Sequence, residues 1–437
     1  MNPPGLSYDQ APPFNVPLRF FLTAPWFLVL AAALLLWEGP GIVASRWLPA
    51  TLAFTHLIVL GFMAQVMLGA LAQILPVVVG VSIAYPCWIA TLIHVPLTLG
   101  TLALTGAFLG GGPVGFQIAA GLLGFSFSVA LITFHQALWR APIITETVIA
   151  LRCALGALLV TVALGLLLSS YFGWGGFNLS PLPLTNLHAA WGLIGWTALL
   201  VAGVAYQVIP MFQITPLYPA WLSGGFAPLV IALLIIETVL TLNGWAWAAT
   251  ATGTALAVAL IAFAVRTLVL LHQRRRKISD PALLYWRISL ICLATGAAGW
   301  LATRWTPGWA HAPAVELLLG ILLIVGFPVA VINGMLYKIV PFLAWFHLQA
   351  QLLGRAKPPH IKQLLPETPL RRQGWVLLIT LLLLLTAICY PILIYPAALA
   401  LSMTGGWLGI NLWRVAYKYR YALARAALDH PHGRVLE

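Results

Sequence analysis

Histidines within apolar segments are the residues of this sequence best placed to carry chemistry. His56 and His188 lie near the starts of two long apolar segments, and His311 precedes a third. At 1.5 Å per residue, the first two would lie roughly 6 to 9 Å below one membrane surface. Neutral imidazole is the common ligand of heme iron and also binds copper. Two histidines at matched depth on neighbouring helices could therefore coordinate one heme iron axially, and interhelical hydrogen bonding is the alternative role.

The other ionisable residues within apolar segments are each candidates for function, because charge is costly inside a bilayer. Glu237 would either bind a metal, such as copper or non-heme iron, or remain a neutral hydrogen-bonded acid. We expect His94 to be structural, since the proline two residues later frees a backbone carbonyl for its imidazole. Glu316 lies near a helix start, where the helix dipole stabilises a carboxylate. Lys338 is expected to extend its ammonium towards the membrane surface.

Three of the apolar segments share a pattern that ends in a proline. Two glycines precede Pro76, Pro210 and Pro341, and their two spacings from the proline are the same in each case. These prolines recur about every 130 residues, which predicts a unit of roughly four helices that is repeated three times. The pattern also predicts that the glycines lie where helices approach closely; they are Gly61, Gly69, Gly195, Gly203, Gly326 and Gly334.

Composition identifies the elements that must position these residues. Hydrophobic residues make up 62% of the 437 residues and charged residues 7%. Since unpaired backbone groups are costly in hydrocarbon, the fold must be an all-α integral membrane bundle. The first apolar run lacks a small-residue cleavage site, so we expect a retained span. We predict twelve helices, at 18–37, 50–80, 83–108, 112–138, 144–169, 184–212, 222–243, 245–272, 282–303, 312–347, 372–391 and 394–422.

These helices predict a single polytopic membrane domain over residues 1–437. Its twelve transmembrane helices would form three pseudo-symmetric four-helix arcs, with internal repeats at about 18–138, 144–272 and 282–422. Each repeat motif would then lie on the second helix of an arc.

Charge indicates orientation rather than nucleic-acid binding. The net charge is +13, and the basic residues gather in loops that share one face if the helices alternate. This is the positive-inside pattern, so both termini are expected in the cytoplasm of a bacterial-type inner membrane. The expected partner is the lipid bilayer. The four cysteines are scattered without paired spacing and indicate neither a disulfide framework nor a metal knuckle.

The repeat motifs resemble those of a known superfamily. Gly203-Val-Ala-Tyr-Gln-Val-Ile-Pro210 and Gly334-Met-Leu-Tyr-Lys-Ile-Val-Pro341 resemble helix ends in subunit I of the heme-copper oxidases. The first motif, with Pro17-Leu-Arg-Phe-Phe-Leu-Thr-Ala-Pro-Trp26 before it, is also similar to the NnrS family of heme- and copper-containing membrane proteins linked to nitric oxide stress. The resemblance implies that His56 binds a low-spin heme. His188 falls close to the position of a copper ligand.

Some metal ligands of the oxidase pattern are missing from this sequence, which limits the cofactors that the resemblance implies. Leu319-Gly-Ile321 stands where the tenth helix should carry His-x-His, and the seventh helix, 222–243, contains no histidine. Glu237 is the only group comparable to the glutamate that nitric oxide reductases place at non-heme iron. The resemblance therefore implies a divergent member with one heme b, used in electron transfer or in nitric oxide or oxygen handling. A quinol or cytochrome c would be the electron donor, and a homo-oligomer is compatible with the sequence.

Three alternatives stay open at the level of sequence. The first is an oxidoreductase that reduces oxygen or nitric oxide at a variant metal site including Glu237. The second is a transporter of metal or heme on the same scaffold. The third is a structural subunit that has lost every cofactor.

Overall fold

The structure is a computed structural model that describes residues 10–175, 180–276, 280–306, 312–353 and 356–429. Within these ranges the chain forms helices joined by short connections, and no strands. The described residues contain eleven helical segments long and apolar enough to cross a membrane. The prediction of an all-α, multi-span membrane protein is therefore confirmed at this level.

The helix bounds follow the apolar segments of the sequence. The helices are α1 (Asn15–Glu38), α2 (Pro49–Val79), α3 (Pro86–Gly106), α4 (Gly112–Trp139), α5 (Glu146–Trp174), α6 (Pro181–Gln213), α7 (Ala220–Leu242), α8 (Ala246–His272), α9 (Ala282–Trp305), α10 (Pro313–Gln351), α11 (Glu367–Ala387) and α12 (Ile394–Asp429). The helix start that differs most from its predicted position is that of α11, at Glu367 rather than at position 372. Pro366 sets this start, because the residue before a helix is a place where proline is tolerated.

Helices α3 and α4 belong to one apolar segment, Pro86–Trp139, with an interruption in its middle. Leu109 and Gly110 have non-helical backbone angles there, and the φ of Gly110 is 113°. This left-handed region is readily adopted only by glycine. Since α3 and α4 pack against each other along their length, the interruption lets the chain reverse direction.

The helices pack in a closed circuit. Helix α1 packs on α2, α3 on α4 and α4 on α5; likewise α5 packs on α6, α7 on α8 and α8 on α9. The order continues with α9 on α10 and α11 on α12, and α12 returns to pack on α1. Smaller contacts of α2 with α3, α6 with α7 and α10 with α11 complete the circuit. The middle parts of α2 and α6 each also contact α10.

The six glycines of the repeat motif lie at close helix contacts. A Cβ built on any of them would come within 3.0 Å of a side chain on the helix that precedes its own. The pairs are Gly61 with Phe27, Gly69 with Phe20, Gly195 with Ala157, Gly203 with Ala150, Gly326 with Cys292, and Gly334 with Tyr285. The prediction that these glycines allow close helix approach is confirmed.

Substitution of one repeat glycine tests the energetic importance of this contact. We expect Gly203→Ala to lower the free energy of unfolding by about 1–3 kcal/mol, because the added methyl would overlap Ala150, whose Cβ lies 2.9 Å from the added Cβ position. Gly156 on α5 is the matched control, since a Cβ there meets no atom within 4 Å. Gly156→Ala should leave stability unchanged or raise it. Denaturation of both variants in the same detergent makes the comparison, and equal stability would contradict the close-contact role.

A buried ion pair joins α10 to the start of α9 at the end of the bundle that carries the basic loops, here called the basic end. The Nζ atom of Lys338 lies 2.7 Å from Oδ2 of Asp280, whose side chain is fully buried. The side-chain amide of Gln213, the last residue of α6, donates to the same oxygen at 2.8 Å. Lys338 therefore has a carboxylate partner at the basic end, which its expected extension towards the membrane surface did not include. Asp280 lies outside the apolar segments, so sequence alone gave no partner for Lys338.

Candidate functional site

The two candidate histidines occupy the same position counted from the start of two related helices, although His188 lies two residues further than His56 from the terminal proline of its motif. Helices α2 and α6 both begin with a proline, and the eighth residue of each is a histidine: His56 after Pro49, and His188 after Pro181. Proline is favoured at the first helical position because its missing N–H would be unpaired there anyway. The eighth residue of α10, counted from Pro313, is Gly320.

A π-helical segment follows each of these positions. The segments are Leu57–Ala64, Trp191–Ala198 and Ile321–Val329. All three end at the same position relative to the terminal proline of their motif, and their starts agree to within a single position. π-Helical turns in long helices often occur at functional sites, because they turn the adjacent side chains to new directions. Here they lie where α2, α6 and α10 meet.

The structure brings His56 and His188 together. Their ring centroids are 6.5 Å apart and their planes differ by 19°. A metal–nitrogen bond is about 2 Å long and an imidazole centroid lies roughly 1 Å behind its nitrogen, so two imidazoles that share one metal have centroids about 6 Å apart. The observed centroid separation is close to this value.

Backbone carbonyls fix the tautomer of both rings. Nδ1 of His56 donates to the carbonyl oxygen of Leu52 at 2.8 Å, and Nδ1 of His188 donates to that of Thr161 at 3.0 Å. Because a carbonyl oxygen can only accept, the proton of each neutral ring must be on Nδ1. Each Nε2 then carries a lone pair, and neither Nε2 has a hydrogen-bond partner within the described residues. This is the arrangement that metal-ligating histidines show, with one nitrogen held by the protein and the other available.

Small and aromatic residues shape the space around the two rings. A Cβ built on Gly165 of α5 would lie 2.9 Å from Cε1 of His188, so glycine there makes room for the imidazole. The ring of Phe108 lies 5.4 Å from that of His56. A Cβ on Gly320 would meet no atom within 4 Å, which leaves open space beside α10 at the corresponding position.

A polar cluster joins the helix starts beyond the histidines. Arg46, in the connection before α2, donates from Nη2 to the amide oxygen of Asn186 at 2.8 Å. Its Nε lies 3.1 Å from the Glu316 carboxylate, and its guanidinium lies 4.2 Å from the centroid of the Trp47 ring. Glu316 therefore has a specific cationic partner in addition to its place in the first turn of α10. The cluster links the beginnings of α6 and α10 to the chain that enters α2.

Glu237 is not brought to the histidines by any contact that the structure gives it. Its carboxylate lies over Gly253 of α8, with Oε1 3.4 Å from the position of a Cβ there. Its electrostatic partner is Arg304 on α9. The metal-binding role of Glu237 stays a prediction. His311, the third histidine of the predicted set, lies outside the described residues.

The remaining transmembrane histidine of interest makes a direct hydrogen bond between helices. Nε2 of His94 on α3 lies 2.9 Å from the hydroxyl of Thr23 on α1, and its ring packs edge-on against Phe20. This agrees with the structural role expected for His94. It also separates His94 from the pair formed by His56 and His188, whose Nε2 atoms have no such partner among the described residues.

Several residues of the site carry no recognisable signal in the sequence. Thr161 and Leu52 contribute only backbone carbonyls, and Gly165 is one of 38 glycines. Arg46 is a loop residue whose partners lie on helices far later in the chain. Proximity to a candidate histidine could have indicated Asn186, which precedes His188 by two positions.

Within the described part of the chain, no group of three or more His, Cys, Asp or Glu side chains is arranged to hold a metal ion. Two imidazoles alone are too few ligands for a closed protein site around a bare metal ion. They are sufficient for heme iron, because the porphyrin supplies the other four nitrogen ligands. The donor set therefore fits a heme.

Comparison with known proteins adds no family assignment. No protein-family model matches the chain, and no curated protein is significantly similar to it. The resemblance to heme-copper oxidase subunit I and to the NnrS family therefore rests on the motif residues alone.

Proposed function

We propose that this chain is a heme-binding membrane protein that holds one heme b between His56 and His188. The observation that carries the proposal is the pair of near-parallel imidazoles 6.5 Å apart, each with Nδ1 bonded to a backbone carbonyl. Fixing both rings in advance lowers the entropic cost of ordering them around the iron. Gly165 supports the proposal, because its missing side chain leaves the space that the His188 ring occupies.

The scaffold proposed for this site is the twelve-helix, three-arc arrangement of the heme-copper oxidase-like superfamily, in a divergent, NnrS-like form. Three regularities support it. In α2, α6 and α10, the two motif glycines contact two residues of the preceding helix, and these two residues are equally far apart in all three cases. The π-helical segments of the three helices end at the same distance from the terminal proline. The helices also pack in a closed circuit. The interruption at Gly110 supports counting the apolar segment Pro86–Trp139 as two transmembrane helices, which would give twelve in all.

Electron transfer is the activity that two histidine ligands favour. A bound heme would supply one-electron chemistry. His56 and His188 would both hold the heme, and the hydrogen bonds from Nδ1 to backbone carbonyls keep both imidazoles in place. Such a site would favour electron transfer over binding of oxygen or nitric oxide. The donor would be a quinol or a cytochrome c, in a bacterial-type inner membrane with the basic end towards the cytoplasm.

An absorption spectrum of the purified protein, oxidised and reduced, tests the proposal together with iron analysis. We expect a Soret band, a low-spin reduced spectrum and about one iron per chain, as two strong nitrogen ligands on heme b require. Protein expressed with ample heme that shows neither Soret absorption nor iron would disprove heme binding. Bound copper without heme would favour a metal-handling function instead.

A further inference from the structure

A groove on the outside of the bundle runs between α1 and α12. It has a volume of about 480 Å³, and its lining residues are Trp26, Ile410, Trp413, Arg414, Tyr417 and Lys418. The two tryptophans and the tyrosine are 42%, 51% and 69% exposed, so the groove opens towards the surroundings of the bundle rather than its interior. In a membrane-spanning bundle this surface faces lipid.

Contacts between α1 and α12 place the groove at the basic end. The ring of Phe14, just before α1, packs on that of Tyr419 with centroids 4.7 Å apart. At the other end of α1, a Cβ on Gly39 would meet the Tyr395 hydroxyl. The two helices are therefore antiparallel. Arg414 is five residues from the level of Phe14, or about 7.5 Å along the helix axis. It thus lies near the edge of the hydrocarbon region at the basic end.

Within the described residues, no carboxylate forms an ion pair with Arg414 or Lys418 of the groove. Arg414 is exposed and has no ion pair or side-chain hydrogen bond within the described residues. Nζ of Lys418 donates to the carbonyl oxygens of Gln363 and Leu364, at 2.6 and 3.0 Å, and these oxygens carry no net charge. The Arg414 and Lys418 side chains therefore border one end of an aromatic, apolar groove.

We propose that this groove binds an anionic phospholipid, with its phosphate at Arg414 and Lys418 and an acyl chain along Trp26, Trp413 and Ile410. Charge complementarity selects the headgroup, because a guanidinium binds a phosphate through charge-assisted hydrogen bonds. The apolar wall selects a lipid over a soluble phosphate, because only a lipid carries a chain that fills it. Basic sites between transmembrane helices bind anionic headgroups by the same chemistry. The proposal is independent of heme binding.

Native mass spectrometry of the full chain with added dimyristoyl phosphatidylglycerol or dimyristoyl phosphatidylcholine tests the site. We expect the wild-type protein to bind phosphatidylglycerol more tightly, and Arg414→Gln to weaken that binding by about fivefold without affecting phosphatidylcholine. Arg287→Gln is the matched control, because Arg287 is also exposed and lies five residues from the basic end of its helix, α9. It should retain the preference of the wild type.

Two further measurements show whether the acyl chain contributes to binding as well as the phosphate. Trp413→Ala should reduce binding of both lipids, since it removes part of the apolar wall. Free glycerol 1-phosphate should not displace bound phosphatidylglycerol. Equal binding of the two lipids by the wild type, or an equal loss in the Arg414 and Arg287 variants, would overturn the proposal. Displacement by glycerol 1-phosphate would overturn the assignment to a lipid.

Discussion

His188→Ala protein is expected to fold but to lose its low-spin heme. The alanine removes one of the two nitrogen ligands, and heme affinity should fall by more than about tenfold, the loss typical even of groups that only support a ligand. His56→Ala should have the same effect, because Nδ1 of each ring is held by a backbone carbonyl, that of Leu52 on the same helix for His56 and that of Thr161 on α5 for His188. Heme occupancy and the reduced absorption spectrum measure both losses.

His94→Ala is the control for loss of a transmembrane imidazole. Its Nε2 is already bonded to Thr23, so it is not available to iron, and the variant should keep the wild-type spectrum. His188→Gly in buffer containing imidazole should regain the low-spin spectrum, since free imidazole can occupy the vacated space. If His188→Ala kept an unchanged spectrum, or if His94→Ala lost its heme, the axial pair would be wrongly assigned.

The sequence predicts this pair only in part. Depth along the helix follows from counting residues, so the shared layer of His56 and His188 is predictable from the starts of their apolar segments. The direction in which each ring points is not, because it depends on the crossing of α5 with α6 and on the carbonyl of Thr161. The π-helical segments add to this difficulty, since they change the residues per turn and so the face on which a side chain lies.

The glycine motif is likewise predictable only in part: the sequence predicts that the glycines lie at helix contacts, but not which residues they contact. Recurrence at two fixed spacings before each proline predicts a helix contact, and all six glycines make one. The contacted residues could not be predicted, because their types differ between the three helices: two phenylalanines on α1, two alanines on α5, and a cysteine and a tyrosine on α9. The repeat is therefore visible in the glycines, because only glycine fits at these contacts. It is not visible in the residues that contact them, because several residue types fit there.

Ion pairs were the least predictable feature. Lys338 and Glu316 lie in apolar segments and were recognised there, but their partners Asp280 and Arg46 lie in connections between helices. From sequence alone, a charged side chain in an apolar segment is expected to reach the membrane surface or to interact with a helix dipole. In the structure, Lys338 and Glu316 instead form ion pairs with residues that are distant in the sequence.

Asp280→Asn is expected to destabilise the protein by about 2–3 kcal/mol, less than the cost of breaking a fully buried ion pair, because the Lys338 side chain is 26% exposed. The Asp280 side chain is fully buried and lies 2.7 Å from the Lys338 ammonium. Asparagine keeps the shape and can still accept from the backbone N–H of Ala282, which lies 3.0 Å from Oδ1. The variant therefore removes the negative charge and leaves the positive one without its partner.

A double variant separates the ion pair from the fold around it. Asp280→Asn combined with Lys338→Met removes both charges, so it should recover at least half of the stability that Asp280→Asn loses, because no unpaired ammonium remains. Glu367→Gln provides the exposed comparison: its pair with Lys362 is 3.1 Å long, with side chains 36% and 61% exposed, and the loss should be about 0–1 kcal/mol. Denaturation of all three variants in one detergent gives the comparison. If Asp280→Asn cost no more than Glu367→Gln, the pair would be a surface interaction, and α6, α9 and α10 would have to be held together at the basic end by apolar packing alone.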